Sequence, residues 1–201
     1  MKEKITDKKE IQRGRMKSFF LDATKKIILE EGVENVTIRK VADIAGYSYA
    51  TIYNYFVDLN KLLWETKLLM IKDLIEIVES RINVKRYDSE GIKKIFKTYI
   101  SYYLENPNIF KFFYLYQLVK IDEKLDSIET QPNFDQMWKN TFKEFIDKGI
   151  LSLKDLEVIS KIFIYSMHGM LTLNYSYNME LTKDGIYKDL DLIVDFLLKN
   201  K

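Results

Sequence analysis

The chain has no cysteine and a single histidine, so neither a disulfide framework nor a Cys/His zinc site can form. It also has few helix breakers, with 7 Gly and 2 Pro in 201 residues, which favours long helices over a fold with many turns. No apolar run is long enough to span a membrane, and the N-terminus lacks the apolar segment of a signal peptide. We therefore expect an all-α cytoplasmic protein without a metal or other cofactor.

Charge is unevenly spread, although the net charge is only +2. Residues 1–17 carry seven Lys or Arg against three Asp or Glu, whereas residues 62–201 carry 20 against 21. A basic N-terminal arm beside a nearly neutral body suits a polyanion bound at that end. A solvated, frayed terminus would show the same pattern, so charge alone leaves both interpretations open.

Apolar periodicity predicts about nine helices and no strand pair. The first helix covers residues 16–31 and ends at Gly32, which can take a left-handed turn. Ser89 is expected to cap a later helix, and Ser152 with Asp155 has the pattern of a capping box. The remaining helices are predicted at residues 59–81, 89–105, 108–121, 134–148 and 153–175, and from Thr182 to the end of the chain.

Two short helices with a glycine-containing turn between them are predicted within residues 37–56. Thr37 is the expected N-cap of IRKVADIA, Gly46 ends that helix, and Ser48 caps the second helix, YATIYNYF. Helices of this length and spacing form the helix-turn-helix of proteins that read the major groove of DNA.

The second of these helices carries an unusual number of tyrosines. If Ile52 and Phe56 are buried, three tyrosines face solvent, which is rare without a partner. Phenol and hydroxyl groups can donate to phosphate oxygens, while Asn54 and Arg39 have the geometry for adenine and guanine. A surface helix of a plain bundle, with its tyrosines packed on neighbours, is the alternative.

This segment resembles the signature of the tetracycline-repressor (TetR) family of transcription regulators. The matching elements are Thr37, Arg39, Val41, Ala42, Gly46, Ser48, Thr51, Ile52, Tyr53, Tyr55 and Phe56. Together with the preceding helix and Glu31-Gly32, the resemblance covers residues 16–63. It implies a DNA-binding domain at residues 1–58, joined by a long helix to a ligand-binding and dimerisation domain at residues 59–201.

The resemblance also implies which residues contact DNA. Where the family usually has two lysines after the aromatic pair, this chain has Val57 and Leu59. The charge that contacts the DNA backbone is therefore expected from Lys61, or from the N-terminal arm with Lys8, Lys9, Arg13, Arg15 and Lys17. Helix N-termini bind phosphate through their free N–H groups. The implied phosphate contacts are Thr37, Ser48, Tyr53 and Tyr55, with Thr51 on the same exposed face, and the implied base-facing residues are Arg39, Tyr49, Ala50 and Asn54.

Aromatic residues crowd the C-terminal part of the chain, as in many apolar ligand pockets. For each ring, ordinary core packing is the alternative, and a lone histidine on an apolar face is usually a core or interface residue. The candidate pocket residues are Tyr102, Tyr103, Phe110, Phe113, Tyr114, Trp138, Phe142, Tyr165 and His168.

We therefore expect a homodimeric regulator, most simply a repressor that a small-molecule effector releases from a palindromic operator. The helix at 153–175 and the last helix, both amphipathic, would form a four-helix bundle with those of a second subunit. An effector would act by tilting the long helix at 59–81. An enzyme is disfavoured because the chain is poor in nucleophiles and bases. A DNA-binding factor without an effector, or a helical protein-interaction module, are the alternatives.

Overall fold

The computed structural model describes residues 2–82, 88–119, 134–176 and 181–199, and the side chains of these residues other than 2–9 and 134–138. Within these ranges the fold is all-α, as predicted, with nine α-helices and no strand. A turn of 3-10 helix (Val33–Asn35) follows the first helix, and a π-helix (Lys111–Leu115) follows the sixth. The helices are α1 (Lys2–Glu31), α2 (Ile38–Ala45), α3 (Tyr49–Ile52), α4 (Leu59–Arg81), α5 (Ser89–Glu105), α6 (Pro107–Phe110), α7 (Phe134–Asp147), α8 (Leu153–Tyr175) and α9 (Lys183–Leu198).

The chain divides into two compact units, the first made of residues 1–73 and 108–132 and the second of residues 74–107 and 133–201. Helix α4 contributes residues to both units. In the part of the chain that the structure describes, no helix is both long and apolar enough to cross a membrane. The division into functional domains at residue 58 stays a prediction, because compactness does not assign function.

The first unit is built around Phe20 of α1, which is fully buried. The Phe20 ring lies 5.5 Å from the ring of Tyr47, 5.6 Å from that of Tyr55 and 6.4 Å from that of Phe56. Apolar residues on α1, α2, α3 and the segment between α1 and α2 complete this core. They are Ala23, Ile27, Ile28, Val33, Val36, Val41, Ala42 and Ile52.

Local capping explains where the two short helices begin and end. The Thr37 hydroxyl accepts a hydrogen bond from the Lys40 backbone N–H at 3.2 Å, so Thr37 is the N-cap of α2, as predicted. Gly46 ends α2 with φ 78°, a left-handed conformation that favours glycine. Asp58 precedes α4 and caps it, since its carboxylate accepts a hydrogen bond from the Lys61 N–H at 2.7 Å.

Two predicted helix starts were wrong. Helix α1 begins at Lys2 rather than at residue 16. Residues 2–15 are mostly charged and polar types that favour helices, but they show no apolar period that would have predicted a helix there. Helix α5 is capped by Asp88 rather than Ser89, and the Asp88 carboxylate accepts from the Gly91 N–H at 3.1 Å.

Two predicted helix ends were also wrong. Helix α3 ends at Ile52, and the residues after it form a turn rather than continuing to Phe56. The helix predicted at 108–121 is a short α6 starting at Pro107, followed by the π-helix. The Tyr116 N–H bonds to the Lys111 carbonyl at 2.9 Å, the wider spacing of a π-turn, and the regular helix stops there.

In the second unit, α5 and α9 are joined by polar pairs one helical turn apart. As residue numbers rise along α5 they fall along α9, so the two helices are antiparallel. Apolar residues between them are buried, including Ile92 and Phe96 on α5 and Leu190 and Val194 on α9. The polar pairs are Lys93 with Asp195 at 2.7 Å, Lys97 with Asp191 at 2.6 Å, and Ser101 with Tyr187 at 2.7 Å.

The starts of the last two helices agree with the sequence. Ser152 and Asp155 form the predicted capping box at the start of α8. Thr182 caps α9, and its side chain accepts from the Gly185 N–H at 3.1 Å. The ring of Phe163 on α8 stacks on that of Phe96 with centroids 3.8 Å apart, which ties α8 to α5.

Candidate nucleic-acid interface

Helix α3 presents aromatic rings to solvent from a buried anchor. Ile52 is fully buried and Phe56 is 1% exposed, as predicted. By contrast, the exposed fraction is 64% for Tyr49 and 53% for Tyr53. Asn54 is exposed beside them. The segment therefore offers phenol and amide groups on a firmly held backbone, which is what a groove-reading helix requires.

Ser48 occupies the N-cap position of α3, but its side chain makes no capping bond to the backbone. Its hydroxyl instead lies 2.8 Å from the hydroxyl of Thr51, one turn along the helix. Ala50, between them, is exposed. The N-terminal end of α3 thus has two linked hydroxyls and a small residue at its surface.

Tyr55 is less free than the other two tyrosines. It is half-buried, with its ring 5.6 Å from that of Phe20 and 5.6 Å from the guanidinium carbon of Arg13. Only part of this side chain remains available to a ligand.

Helix α2 contributes Arg39, which is exposed. Thr37 is also exposed, and its hydroxyl already accepts the capping bond from Lys40. Lys40 itself pairs with Glu31 at 2.5 Å. Arg39 is accordingly the cation of α2 that faces solvent.

Lys61 lies in the first turn of α4 and is half-buried. Its ammonium is 3.8 Å from the carboxylate of Glu65, and the same carboxylate pairs with Lys17 at 2.5 Å. Two cations therefore share one anion, which leaves this cluster of three residues with a charge of +1.

Two residues of the basic N-terminal arm, Arg13 and Lys17, contact the residues that follow α3. The Arg13 guanidinium donates to the carbonyl oxygen of Asn54 at 3.2 Å, and the Lys17 ammonium lies 5.4 Å above the ring of Phe56. The basic composition of the arm was visible in the sequence. Its contact with the end of α3 was not, because 41 residues separate Arg13 from Asn54.

The predicted pocket residues fall into different environments and belong to both compact units. Tyr165 is 71% exposed and Tyr114 39% exposed, while His168 is half-buried, and burial lowers its pKa. The Trp138 side chain lies outside the described residues. The buried candidates are Tyr102, Tyr103, Phe110, Phe113 and Phe142. Among the described residues, no group of three acidic, His or Cys side chains could hold a metal ion.

An apolar groove of about 780 Å³ runs between the outer faces of α8 and α9. Leu192 is 68% exposed and Phe196 80% exposed along it. Large apolar side chains that are exposed next to one another, rather than scattered, mark a surface that can be covered by a partner. The other residues that line the groove are Ile162, Ser166, Ile193, Asp195, Leu197 and Lys199.

Comparison with known proteins links both the sequence and the fold to one family. Residues 20–65 match the sequence profile described as "Bacterial regulatory proteins, tetR family". No curated protein matches the chain by sequence.

Solved structures match over nearly the whole chain, at identities that establish the fold. A protein of Mesorhizobium loti assigned to the TetR family is 16% identical, with a TM-score of 0.69 over 93% of this chain and 96% of its own. FadR from Bacillus subtilis, solved with stearoyl-CoA, is 17% identical, with a TM-score of 0.64 over 92% and 98%. RolR, solved with resorcinol, is 15% identical, with a TM-score of 0.66 over 94% and 89%.

The resemblance of residues 16–63 to the TetR family, which was seen in the sequence, is therefore confirmed. Helices α2 and α3 lie within the matched residues, and they are the two short helices predicted for the helix-turn-helix. Residues 20–65 of this chain therefore match the tetR family of bacterial regulatory proteins, and the chain has the fold of structures assigned to that family.

Proposed function

We propose that this protein is a cytoplasmic homodimeric repressor that binds a palindromic operator and leaves it when a small apolar effector binds. The observation that carries the DNA-binding part is the exposure of Tyr49 and Tyr53 beside the buried anchors Ile52 and Phe56. More than half of each of these side chains is left uncovered by the protein, which suits contact with a groove of duplex DNA.

The individual contacts follow from chemistry and exposure. Asn54 reads adenine and Arg39 reads guanine, while Tyr49 and Ala50 face the bases between them. Lys61, sharing Glu65 with Lys17, adds positive charge near the backbone. The hydroxyl groups position the protein on phosphates; they belong to Thr37, Ser48, Thr51, Tyr53 and Tyr55.

The DNA contacts are tested with a duplex that the wild-type protein selects from a random pool. Asn54→Ala should reduce the preference for this operator over a scrambled duplex, by about 1–3 kcal/mol in binding free energy. Tyr53→Phe should weaken binding to both duplexes alike, since it removes a phosphate contact. Fluorescence anisotropy at several salt concentrations measures both effects, with the exposed Tyr165→Phe as control. If both variants bind as the wild type does, the contact assignment is wrong.

The apolar groove on α8 and α9 supports a two-fold dimer. Leu192 and Phe196 project from α9, and Ile162 lies across the groove on α8. Covering these side chains with the same surface of a second copy would bury them in a four-helix bundle. Such a dimer places two recognition helices about 34 Å apart, one turn of DNA, which requires a palindromic operator.

Sedimentation velocity tests the dimer. Phe196→Asp should shift the protein to monomer and abolish high-affinity operator binding, because a charge cannot be buried unpaired in the bundle. Leu153→Asp is the matched control, since Leu153 is 62% exposed on α8 but does not line the groove. A wild-type protein that sediments as a monomer at all concentrations would rule out this part of the proposal.

An apolar effector is supported by the buried aromatic candidates and by the ligands of two proteins with the same fold. FadR was solved with stearoyl-CoA and RolR with resorcinol. Helix α4 connects the two halves of the proposed switch in sequence, because it contributes to both compact units. The effector shifts the equilibrium only through its different affinities for the DNA-bound and free states.

A thermal-shift screen with long-chain acyl-CoA thioesters and with simple phenols tests the effector. A ligand at 100 times its dissociation constant should raise the free energy of unfolding by about 2.7 kcal/mol. The same ligand should release the operator in the anisotropy assay. Operator binding without any response to a broad panel would favour a factor that works without an effector, and the absence of DNA binding would favour a protein-interaction module.

A further inference from the structure

One face of α1 contacts the last residues of the predicted DNA-reading segment, residues 48–56, which we call the recognition segment. Arg13, Lys17 and Phe20 are spaced four and three residues apart, so they lie on one side of the helix. Arg13 contacts Asn54 and Tyr55, Lys17 lies over Phe56, and the Phe20 ring approaches the rings of both aromatic residues.

The Arg13 contact lies at the end of the recognition segment, where few hydrogen bonds within the segment stabilise its backbone. Helix α3 has only four residues, far fewer than a helix needs for its own stability. After Ile52 the chain continues as a turn, in which the N–H groups of Asn54 and Tyr55 bond to the carbonyls of Thr51 and Ile52. The carbonyl groups at the end of such a segment point away from it and carry partial negative charge.

Arg13 supplies a cation and a donor at this position. Its guanidinium bonds to the Asn54 carbonyl at 3.2 Å, and its carbon lies 5.6 Å from the centre of the Tyr55 ring. A planar guanidinium can bond at its edge while resting on an aromatic face. The contact restrains the backbone of Asn54 and the ring of Tyr55 together.

We propose that Arg13 is a positioning residue for sequence readout, which sets the Asn54 amide for its base contact rather than gripping DNA itself. This inference rests on the proposed DNA-binding function. It assigns to α1 a part in specificity beyond the general attraction of a basic arm. An arginine that contacted phosphate would instead strengthen binding to every duplex.

Salt dependence separates the two roles. Arg13→Gln should weaken binding to the selected operator about tenfold, with little change for a scrambled duplex and no change in the slope of log K against log salt concentration. Arg15→Gln is the matched control, because it removes the same charge from the same helix at an exposed position. We expect Arg15→Gln to weaken both duplexes equally, if at all, and to leave the operator preference intact.

A double-mutant cycle guards against a general folding defect. If Arg13 acts through Asn54, then Arg13→Gln should cause no further loss of operator preference in a protein that already carries Asn54→Ala. Circular dichroism and the melting temperature of each variant show whether the fold is retained. Additive losses would overturn the inference, as would equal weakening of both duplexes with a salt slope reduced by about one.

The wild-type measurement separates this inference from the proposed function. If the wild-type protein selects no operator, the proposed function fails, and the inference fails with it. If the wild type selects one and Arg13→Gln keeps the same preference, only the inference is wrong.

Discussion

The phenol of Tyr175 donates a hydrogen bond to the carbonyl oxygen of Tyr103 at 2.6 Å. This bond joins the last residue of α8 to the last turn of α5, where helix carbonyls lack partners within their own helix. The same carbonyl accepts from the Asn106 N–H at 3.2 Å. Two donors therefore satisfy this carbonyl group at the C-terminal end of α5.

Tyr175→Phe should lower the free energy of unfolding by about 1 kcal/mol, because it removes one of the two donors to this carbonyl. Burial raises the pKa of Tyr175 to about 12. The phenol of the unfolded chain ionises first, near its usual pKa of 10.0. The stability that the protonated Tyr175 phenol contributes is therefore lost as pH rises from about 10 to 12. Urea titrations of wild type and variant across this range measure both effects, and Tyr165→Phe is the exposed control. Parallel pH profiles for all three proteins would contradict the assignment.

His168 should titrate below its ordinary pKa of 6.5, because burial disfavours its charged form. The unfolded chain then binds more protons in the window just below pH 6.5, so stability falls as pH decreases through that window. As the chain has one histidine, its ring signal in an NMR titration is unambiguous. A midpoint at or above 6.5 would disprove the prediction, and His168→Gln should remove this part of the pH dependence.

The two N-caps of the helix-turn-helix should differ in their effect on stability. Thr37→Ala removes a bond to the backbone of α2 and should lower the free energy of unfolding by about 1 kcal/mol, whereas Thr37→Ser should retain most of it. Ser48→Ala loses only the exposed contact with the Thr51 hydroxyl and should have a smaller effect. Urea denaturation measures all three variants, and equal losses at the two caps would mean that the capping bond at Thr37 is unimportant.

Gly169 offers a second test of the dimer surface. It is exposed on α8, one turn from Tyr165 and one turn from Leu173, and a Cβ atom built on it meets nothing within 4 Å. In the monomeric Phe196→Asp background, Gly169→Ala should raise the free energy of unfolding by about 0.5–1 kcal/mol, since glycine weakens a helix interior. In the wild-type background, Gly169→Leu should dissociate the dimer by preventing close approach of the two α8 helices. A Gly169→Leu protein that still sediments as a dimer would exclude Gly169 from the interface.

Much of the local structure could be predicted because its causes are close together in the chain. The caps at Thr37 and Ser152 were predicted correctly, as was the start of the last helix at Thr182, and all three involve bonding partners three residues away. The left-handed end of α2 at Gly46 follows from a single residue type. Burial of Ile52 and Phe56 followed from the helical period of the motif.

The errors arose where helices begin or end without a marked change in sequence. Residues 2–15 contain only two apolar residues, Ile5 and Ile11, so apolar periodicity gave no signal for this part of α1, and its start was placed at residue 16. At α5, Asp88 and Ser89 are both good N-caps, and the sequence alone could not choose between them. The change from α6 to the π-helix at Lys111 depends on how the chain packs, which periodicity does not report.

The amino-acid sequence by itself determined the family signature, the helical class and the motif that leaves Tyr49, Tyr53 and Asn54 exposed, since these depend on residue types at short, regular spacings. Only the tertiary structure decided that Arg13 supports Asn54, that Tyr55 is partly enclosed by Phe20, and that Lys61 shares Glu65 with Lys17. Most of these partners lie tens of residues apart, and packing of the buried apolar faces brings them together. A polar contact between residues so far apart leaves no local sequence pattern from which it could be predicted.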